Sequence, residues 1–198
     1  MSHFDLIVIG GGPSGYAGAM RALDFGKKVL LIEKKKLGGA GVYDGVLTSK
    51  TLWEYSMKVS SIREMIPDYK VNFPEMEKTV NEAVFERKTQ MTVHSQLLQN
   101  SPNRLFFYEK GKAFFLDKNT IQITKDDGST RKFTADNILI STGSRPRIPN
   151  NITVDEKIII TSDGIKNLKS LPKSMVVLGA GVIGCEFATI FSNLGQTK

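Results

Sequence analysis

The sequence is poor in cysteine and histidine and has no long hydrophobic run. Cys185 is the only cysteine among 198 residues, and there are two histidines. A single cysteine cannot form a disulfide within the chain, whether structural or redox-active. No apolar stretch approaches the ~20 residues of a membrane helix, and the N-terminus lacks a basic segment followed by an apolar one. We therefore expect a cytoplasmic protein without a membrane span. The lack of a Cys–His cluster predicts no metal site.

Basic residues outnumber acidic ones, with 27 Lys and Arg against 20 Asp and Glu. The charges are scattered along the chain, and the only dense basic run is Lys34 to Lys36. We interpret this balance as a solvated surface rather than a nucleic-acid interface. The hydrophobic content of 40% allows a buried core, in one large domain or two small ones.

The chain opens with the pattern of a strand, a glycine turn and a helix. Asp5 to Ile9 is almost wholly apolar, as in a strand buried on both faces. Small and apolar residues then recur at helical spacing from Gly12 to Phe25, and Gly26 supplies a stop. A second apolar run, Val29 to Ile32, follows. The segment is therefore predicted to form a βαβ unit.

The glycines of this unit have the spacing of a dinucleotide site. Gly10 allows the strand-to-helix turn, Gly12 lets a pyrophosphate approach the backbone, and Gly15 allows close helix packing. The helix N-terminus offers unpaired N–H groups and a partial positive charge to phosphates. Glu33, at the end of the second strand, is well placed to bond ribose hydroxyls. A glycine turn with a purely structural role is the alternative.

The middle of the chain is predicted to contain two amphipathic helices that pack on each other. Ser49 caps the first, and the second runs from Glu75 to Gln99. The apolar period then changes to two, which predicts a small antiparallel meander with a hairpin turn at Asp127-Gly128. Its predicted strands are Leu105–Glu109, Ala113–Leu116, Ile121–Thr124 and Lys132–Thr134.

A buried strand from Asn137 to Ser141 is predicted to follow the meander. Pro146 and Pro149 then mark a domain exit. We therefore divide the chain into two domains, residues 1–149 and 150–198.

The last segment repeats the opening unit. Met175 to Leu178 is predicted as a strand, and Gly179 and Gly195 lie 169 residues after Gly10 and Gly26 respectively. Two glycine turns predict two dinucleotides, one held tightly and one exchanged. The acid equivalent to Glu33 would be residue 202, and the sequence ends at 198, so a preference for NAD or NADP cannot be predicted. We expect the helix after the second turn to lack the strands that should cover its apolar residues, Val182, Ile183, Phe187 and Ile190.

With its motifs in this order, the sequence resembles the flavoprotein pyridine nucleotide-disulfide oxidoreductases, the family of dihydrolipoamide dehydrogenase, glutathione reductase and mercuric reductase. The resemblance implies an α/β fold with a Rossmann-like FAD-binding domain, in which a parallel sheet carries a small antiparallel meander. An incomplete second Rossmann unit, the start of a truncated NAD(P)-binding domain, follows it. The motifs that carry the resemblance are residues 5–15, 37–39, 49–50, 111–114, 140–146, 161–163 and 177–186.

The resemblance also implies site residues. Lys50 would lie near flavin N5 and pair with Glu186, close to the nicotinamide. From the residues alone, Lys50 is a solvated helix residue and Glu186 an acid favoured by the helix dipole. NAD or NADP would be bound at Gly179, Gly181 and Gly184. Besides Lys50, the residues implied for FAD are Gly10, Gly12, Pro13, Ser14, Gly15, Glu33, Lys34, Gly39, Ala40, Lys112, Ala113, Ser141, Thr142 and Gly143.

One loop departs from the family pattern. Gly41 and Val46 stand where the family has its redox cysteines, and Thr48 stands where it usually has proline. Residues 38–45 therefore resemble the loop of the disulfide-less NAD(P)H:quinone reductases and diaphorases. Cys185 is predicted to be a small packed residue rather than a redox thiol.

The two histidines are not expected to be catalytic. His3 is predicted to precede the first strand, and His94 to lie on the charged helix, both facing solvent. The acid–base histidine of the family lies in a C-terminal interface domain that this sequence lacks.

We therefore expect the N-terminal portion of an FAD-dependent NAD(P)H oxidoreductase, homodimeric when full length. It would pass electrons through the flavin to a small diffusible acceptor such as a quinone. The 198-residue chain alone is expected to be inactive. The alternative is a flavin-binding or interaction module that has lost catalysis.

Overall fold

A computed structural model describes residues 2–195, which fall into two compact units. The first unit comprises Met1–Val42 and Arg87–Ser144, and the second comprises Tyr43–Glu86 and Arg145–Lys198. Each unit is therefore built from two separate stretches of the chain. The division into an FAD-binding domain 1–149 and an NAD(P)-binding domain 150–198 stays a prediction.

The first unit contains a six-stranded sheet in the order β3-β2-β1-β6-β5-β4. The strand β1 pairs in parallel with β2 on one side and β6 on the other, and β2 pairs in parallel with β3. This arrangement confirms the mixed α/β fold with a mainly parallel sheet. The strands are β1 Ser2–Ile9, β2 Val29–Glu33, β3 Phe106–Lys110, β4 Lys112–Phe115, β5 Thr120–Thr124 and β6 Thr130–Ile140.

The antiparallel meander has three strands, β4, β5 and β6, rather than four. The hairpin turn predicted at Asp127-Gly128 joins β5 to β6, and Gly128 has φ 81°. The strand β3 had been assigned to the meander, but it pairs in parallel with β2, with Phe106 opposite Val29. Alternation with a period of two indicates a strand but not the direction of its pairing, which explains this error.

The strand β6 is longer than predicted and takes part in both the antiparallel and the parallel part of the sheet. Its first part pairs antiparallel with β5, and its later part pairs parallel with β1. The strand from Asn137 to Ser141 had been predicted as buried, yet Asn137 and Ile140 are exposed and the other three residues are only partly buried. Since β5 pairs only with residues 130–134, no described strand lies on the far side of this segment within residues 2–195. His3 lies within β1 rather than before it and is exposed.

The core of the first unit lies between the parallel strands and the meander. Apolar residues of β1 and β2 meet apolar residues of β5 and β6, and most of them are fully buried. This burial is the main favourable term for the unit. The cluster contains Phe4, Ile7, Leu30, Ile32, Ile121, Ile123, Phe133 and Ala135.

The described residues 2–195 also contain five α-helices: α1 Pro13–Asp24, α2 Gly39–Tyr43, α3 Val46–Met65, α4 Phe73–Gln99 and α5 Val182–Leu194. The helix α4 passes from the second unit into the first at residue 87. Ser49 is not the cap of α3, because Gly45 is the N-cap and Ser49 lies in the first turn. None of the helices within residues 2–195 is long and apolar enough to cross a membrane.

The core of the second unit is helical. Leu52 and Val59 of α3 belong to the same apolar cluster as Met76 and Val80 of α4. Direct packing of these two helices on each other stays a prediction. The helix α5 joins the same cluster through Phe187, Ile190, Phe191 and Leu194. Phe187 and Ile190 had been expected to lack a cover, but they are buried here, whereas Val182 and Ile183 are exposed.

Met175 to Leu178 had been predicted as a strand, but it has no regular secondary structure. A strand requires a hydrogen-bonded neighbour, and no segment within residues 2–195 pairs with it. The glycine turn and the helix that follow it do form as predicted. The C-cap Gly195 has φ 72°, close to the φ of 68° at Gly26.

We expect Ile121→Ala to lower the free energy of unfolding by about 2–5 kcal/mol, because Ile121 is fully buried in the core of the first unit. Leu97→Ala removes a side chain of similar size that is 67% exposed on α4. That control should change the free energy by no more than about 0.5 kcal/mol. Urea denaturation followed by circular dichroism measures both, and equal losses would contradict the placement of Ile121.

Candidate functional site

The first glycine turn is held by contacts between backbone atoms. The Gly10 N–H donates to Ile32 O over 2.8 Å, and Gly10 has φ 107°, in the left-handed region. A Cβ on Gly15 would lie much closer than 3.0 Å to the carbonyl oxygen of Gly10, and real Cβ atoms essentially never come that close to another atom. The turn and the start of α1 therefore require glycine at both positions.

Gly12 differs, because a Cβ there would meet nothing within 4 Å. Gly12 is the N-cap of α1 with extended backbone, no side chain caps the helix, and no acidic residue lies in its first turn. Pro13 follows at the first helical position, and Ser14 is exposed. An accessible helix N-terminus with free N–H groups suits a phosphate. The open face of Gly12 thus fits the approach of a pyrophosphate.

Glu33 is turned towards the glycine turn. Its side chain is buried at the end of β2, and its Oε2 accepts a hydrogen bond of 2.7 Å from the Gly11 N–H. Its Oε1 accepts one of 2.7 Å from the Lys35 N–H. Each carboxylate oxygen has capacity for a further donor, so Glu33 can accept from ribose hydroxyls while holding the turn. Lys34, beside it, is exposed.

The segment 38–42 lies against the same turn. The Gly38 N–H donates to Gly11 O over 2.8 Å. A Cβ on Gly39 would lie 3.2 Å from the Cα of Gly12. Ala40 is exposed. The structure therefore brings Gly39 to the glycine turn, and its role in FAD binding stays a prediction.

The segment after β6 also reaches the first glycine turn. The Ser141 N–H donates to Ile9 O over 2.8 Å, and a Cβ on Gly15 would lie 3.1 Å from Ser141 Cβ. Thr142 and Gly143 follow directly, and Gly143 has φ 75°. Five parts of the first unit predicted to bind FAD are thus near one another: the turn, the end of β2, Gly39, Ser141 and the residues after it.

Lys112 and Ala113 lie on β4. Ala113 pairs with Ile123 of β5, and the Lys112 Nζ lies 4.8 Å from the ring centre of Phe114. The N–H of the preceding Gly111 donates to Glu33 O over 3.0 Å. The start of β4 is thereby fixed to the end of β2, next to the acid predicted to bind ribose.

The second glycine turn repeats the first within the second unit. Gly179 has φ 115°, and a Cβ on Gly184 would collide with the carbonyl oxygen of Gly179. A Cβ on Gly181, the N-cap of α5, would meet nothing within 4 Å. Gly184 and Gly181 therefore have the same steric environments as Gly15 and Gly12. Gly179 shares its left-handed φ with Gly10, but a Cβ on Gly179 would meet nothing within 4 Å, whereas a Cβ on Gly10 would collide with the Ser141 carbonyl.

Lys50 and Glu186 form an ion pair in the second unit. The Lys50 Nζ donates to Glu186 Oε1 over 2.9 Å, and the two side chains are 58% and 12% exposed respectively. The pairing implied by the resemblance is present, and Lys50 is also exposed to solvent. The roles of both groups towards a flavin or nicotinamide stay predictions.

Sequence reasoning missed a hydrogen bond between α1 and α4. The Tyr16 hydroxyl and His94 Nδ1 are 2.7 Å apart, and Tyr16 is buried. Burial raises the pKa of Tyr16, and the nearby Arg87 only partly offsets this effect. The hydroxyl therefore stays protonated at neutral pH. His94 is exposed as predicted, and the 78 residues between the partners leave no local signal for the contact.

The positions of the missing redox cysteines carry no other redox side chain. Gly41 lies against Pro13, and Val46 begins α3 with its side chain 60% exposed. Cys185 had been predicted to be packed, but it is exposed, because the buried face of α5 carries Phe187, Ile190, Phe191 and Leu194 instead. Within residues 2–195, no three His, Cys, Asp or Glu side chains are grouped to hold a metal ion.

Comparison with known proteins places the chain in a family. Residues 4–197 match the family described as pyridine nucleotide-disulphide oxidoreductase. The soluble pyridine nucleotide transhydrogenase of Vibrio vulnificus (strain YJ016) is 36% identical over 199 residues. That of Mycobacterium bovis (strain BCG / Pasteur 1173P2) is 35% identical over 206 residues. The aligned region is 98% of this chain but only 42% of each relative, so the chain spans less than half of their length.

Two solved structures resemble the chain closely. LpdA from Mycobacterium tuberculosis matches 98% of this chain and 43% of its own, with a TM-score of 0.82 and 27% identity. The Cu(II) complex of RclA from Escherichia coli, an HOCl-induced flavoprotein disulfide reductase, matches 99% of this chain and 41% of its own. Its TM-score is 0.78 and its identity 26%. With a family match over nearly its whole length, the chain belongs to the pyridine nucleotide-disulphide oxidoreductases.

Proposed function

We propose that the first unit binds FAD and that the protein oxidises NAD(P)H without a redox disulfide, passing the electrons to a quinone-like acceptor. The observation that carries the proposal is the contrast among the glycines of the first turn. Gly10 and Gly15 are needed for the fold, whereas Gly12 faces open space at the N-terminus of α1. A glycine with no steric role in the fold suits a position that a ligand approaches.

FAD would be held through its two ends and its pyrophosphate. Gly12, Ser14 and Gly15 would face the pyrophosphate, and Glu33 would accept from the adenosine ribose. The backbone of Ala113 would lie on the adenine side, and Thr142-Gly143 on the flavin side. When bound, FAD supplies a two-electron carrier that reduced nicotinamide can reduce.

Two features of the second unit support an exchanged nicotinamide nucleotide. In its glycine turn, Gly184 is packed against the Gly179 carbonyl as Gly15 is against that of Gly10, and Gly181 is open at the N-terminus of α5. Lys50 and Glu186 form an ion pair near that helix N-terminus. We propose that this pair lies beside the flavin and the nicotinamide, where Lys50 keeps a fixed positive charge and Glu186 holds it in position.

We base the proposed acceptor on Gly41 and Val46, which stand where the family has its redox cysteines. With Cys185 as its only cysteine, the chain cannot pass electrons to a substrate through an intrachain disulfide. A diffusible acceptor that takes up two electrons and two protons needs no such relay. NAD(P)H and one proton would give NAD(P)⁺, and a quinone would become a quinol. We further propose that the full-length protein is a cytoplasmic homodimer and that the 198-residue chain alone is inactive.

A second acceptor is favoured by the relatives. Two of them are named soluble pyridine nucleotide transhydrogenases and are 35–36% identical to this chain. Hydride transfer to a second pyridine nucleotide also requires no thiol. The second candidate function is therefore electron transfer from one pyridine nucleotide to another through the same flavin.

We expect Gly12→Ala to weaken FAD binding at least about tenfold, which corresponds to about 1.4 kcal/mol, because the new methyl group occupies the space left for the pyrophosphate. The free energy of unfolding should fall by less than about 1 kcal/mol, the cost of replacing a glycine N-cap. Quenching of flavin fluorescence measures the affinity. Gly18→Ala is the control, because its Cβ meets only the tip of the Leu139 side chain. Equal affinities of the two variants would contradict the assignment.

Glu33→Gln should lower the free energy of unfolding by about 1–3 kcal/mol. The amide offers one acceptor where Gly11 N–H and Lys35 N–H now use two, so one buried donor loses its partner. FAD binding should weaken as well. Asp24→Asn is the control, because its 64% exposed carboxylate pairs only with Arg21 over 3.5 Å. If urea denaturation gives the same loss for both variants, Glu33 does not hold the turn.

The acceptor is identified by steady-state assays of the natural full-length protein loaded with FAD. We expect NADH or NADPH to reduce quinones and redox dyes, with lipoamide turned over at a far lower rate. Lipoamide turnover at the rate of a disulfide enzyme would contradict the disulfide-less mechanism. Reduction of a second pyridine nucleotide faster than of quinones would favour the second candidate. If NAD(P)H fails to bleach the bound flavin without oxygen, the protein is a binding module instead.

A further inference from the structure

The helix α2 packs directly on the first turn of α1. A Cβ on Gly41 would lie 2.8 Å from Cδ of Pro13 and closer still to Cγ. Both distances are below 3.0 Å, which real Cβ atoms essentially never show. The space beside Gly41 is therefore filled by the proline ring, and no side chain fits at this position with the backbone as it stands.

The proline ring cannot move aside as a flexible side chain would. Its atoms are closed onto the backbone, which fixes φ near −65°, and Pro13 occupies the first helical position of α1. Gly18 provides a contrast on the same helix, because a Cβ there would meet only the terminal Cδ2 of Leu139 at 2.5 Å. A side chain at 41 must therefore displace α2 or the start of α1.

The contact of Gly41 is the last of three that run along the two segments in order. The Gly38 N–H donates to Gly11 O. Gly39 has φ 51° and lies against the Cα of Gly12. Gly41 then lies against Pro13. Residues 38, 39 and 41 thus contact residues 11, 12 and 13 in the same order along the chain. These contacts place α2 beside Gly12.

We infer that Gly41 is a positioning residue for the dinucleotide turn: by carrying no side chain, it sets how closely α2 approaches Pro13 and hence the shape of the pyrophosphate site. This inference rests on the proposed function for its consequence in cofactor binding. It assigns position 41 a steric role in this chain. With the backbone of this chain as it stands, a Cβ at position 41 would collide with the ring of Pro13.

A double-mutant cycle tests the contact through its two partners. We expect Gly41→Ala to weaken FAD binding about tenfold, because overpacking shifts the backbone around the turn. Pro13→Ala removes the two ring atoms that collide and leaves Pro13 Cβ, which would lie 3.7 Å from the new group. The variant with both changes should therefore bind FAD more tightly than Gly41→Ala alone. Gly18→Ala is the matched control for adding a methyl group to a helical glycine.

The outcomes separate this inference from the proposed function. Recovery of FAD affinity in the double variant supports the inference, since a loss caused by changed helix propensity would not be recovered by Pro13→Ala. Affinity of Gly41→Ala within about twofold of the unmutated chain, or no recovery in the double variant, overturns it. If the unmutated chain binds no FAD, the proposed function fails. The inference about Gly41 is then tested by measuring the free energy of unfolding of the same four proteins by urea denaturation. Coupling between the two changes then supports the steric contact, and additivity overturns it.

Discussion

The structure of the first unit depends on the approach of the Gly15 Cα to the carbonyl oxygen of Gly10, which excludes any Cβ. This contact lets α1 leave the end of β1 at a short distance and in a fixed direction. The N-terminus of α1 then faces the edge of the sheet where β2 and β6 end, at Glu33 and Ile140. Carboxyl ends of parallel strands are where α/β proteins bind ligands. The carboxylate of Glu33 and the backbone of Ser141 reach this edge because the turn is so tight.

The same turn occurs twice, and the copies show what a local contact determines and what it does not. Gly10 and Gly179 share a left-handed φ, and both helices start with an open glycine. Yet Ile7 of β1 is fully buried, whereas Val176, at the equivalent position before the second turn, is 85% exposed. Glycine sterics define the turn wherever it occurs. Burial and strand pairing come from neighbouring segments, which flank β1 on both sides and are absent beside residues 175–178 within the described chain.

This distinction explains which features could be predicted from the sequence. The βαβ opening, the hairpin at Asp127-Gly128 and both glycine turns depend on local patterns, and all are present. The pairing of β3 with β2 was missed. The sequence pattern identified β3 as a strand, but it does not indicate which neighbouring strand β3 pairs with. The ion pair of Lys50 with Glu186 was predicted by resemblance alone, because their separation of 136 residues gives no local signal. The contact of Tyr16 with His94 had neither kind of support.

The glycines of the candidate site therefore divide by their surroundings rather than by their spacing. Where a Cβ would meet backbone or a ring, as at Gly10, Gly15 and Gly41, the glycine is explained by the protein itself. Where a Cβ would meet nothing, as at Gly12 and Gly181, the fold gives no steric reason for glycine. A residue without a side chain at an open helix N-terminus is then best explained by something that approaches the backbone from outside. The motif spacing assigned Gly10 and Gly15 to the turn and its packing and Gly12 to the phosphate, and the contacts give the steric reason for treating these positions differently.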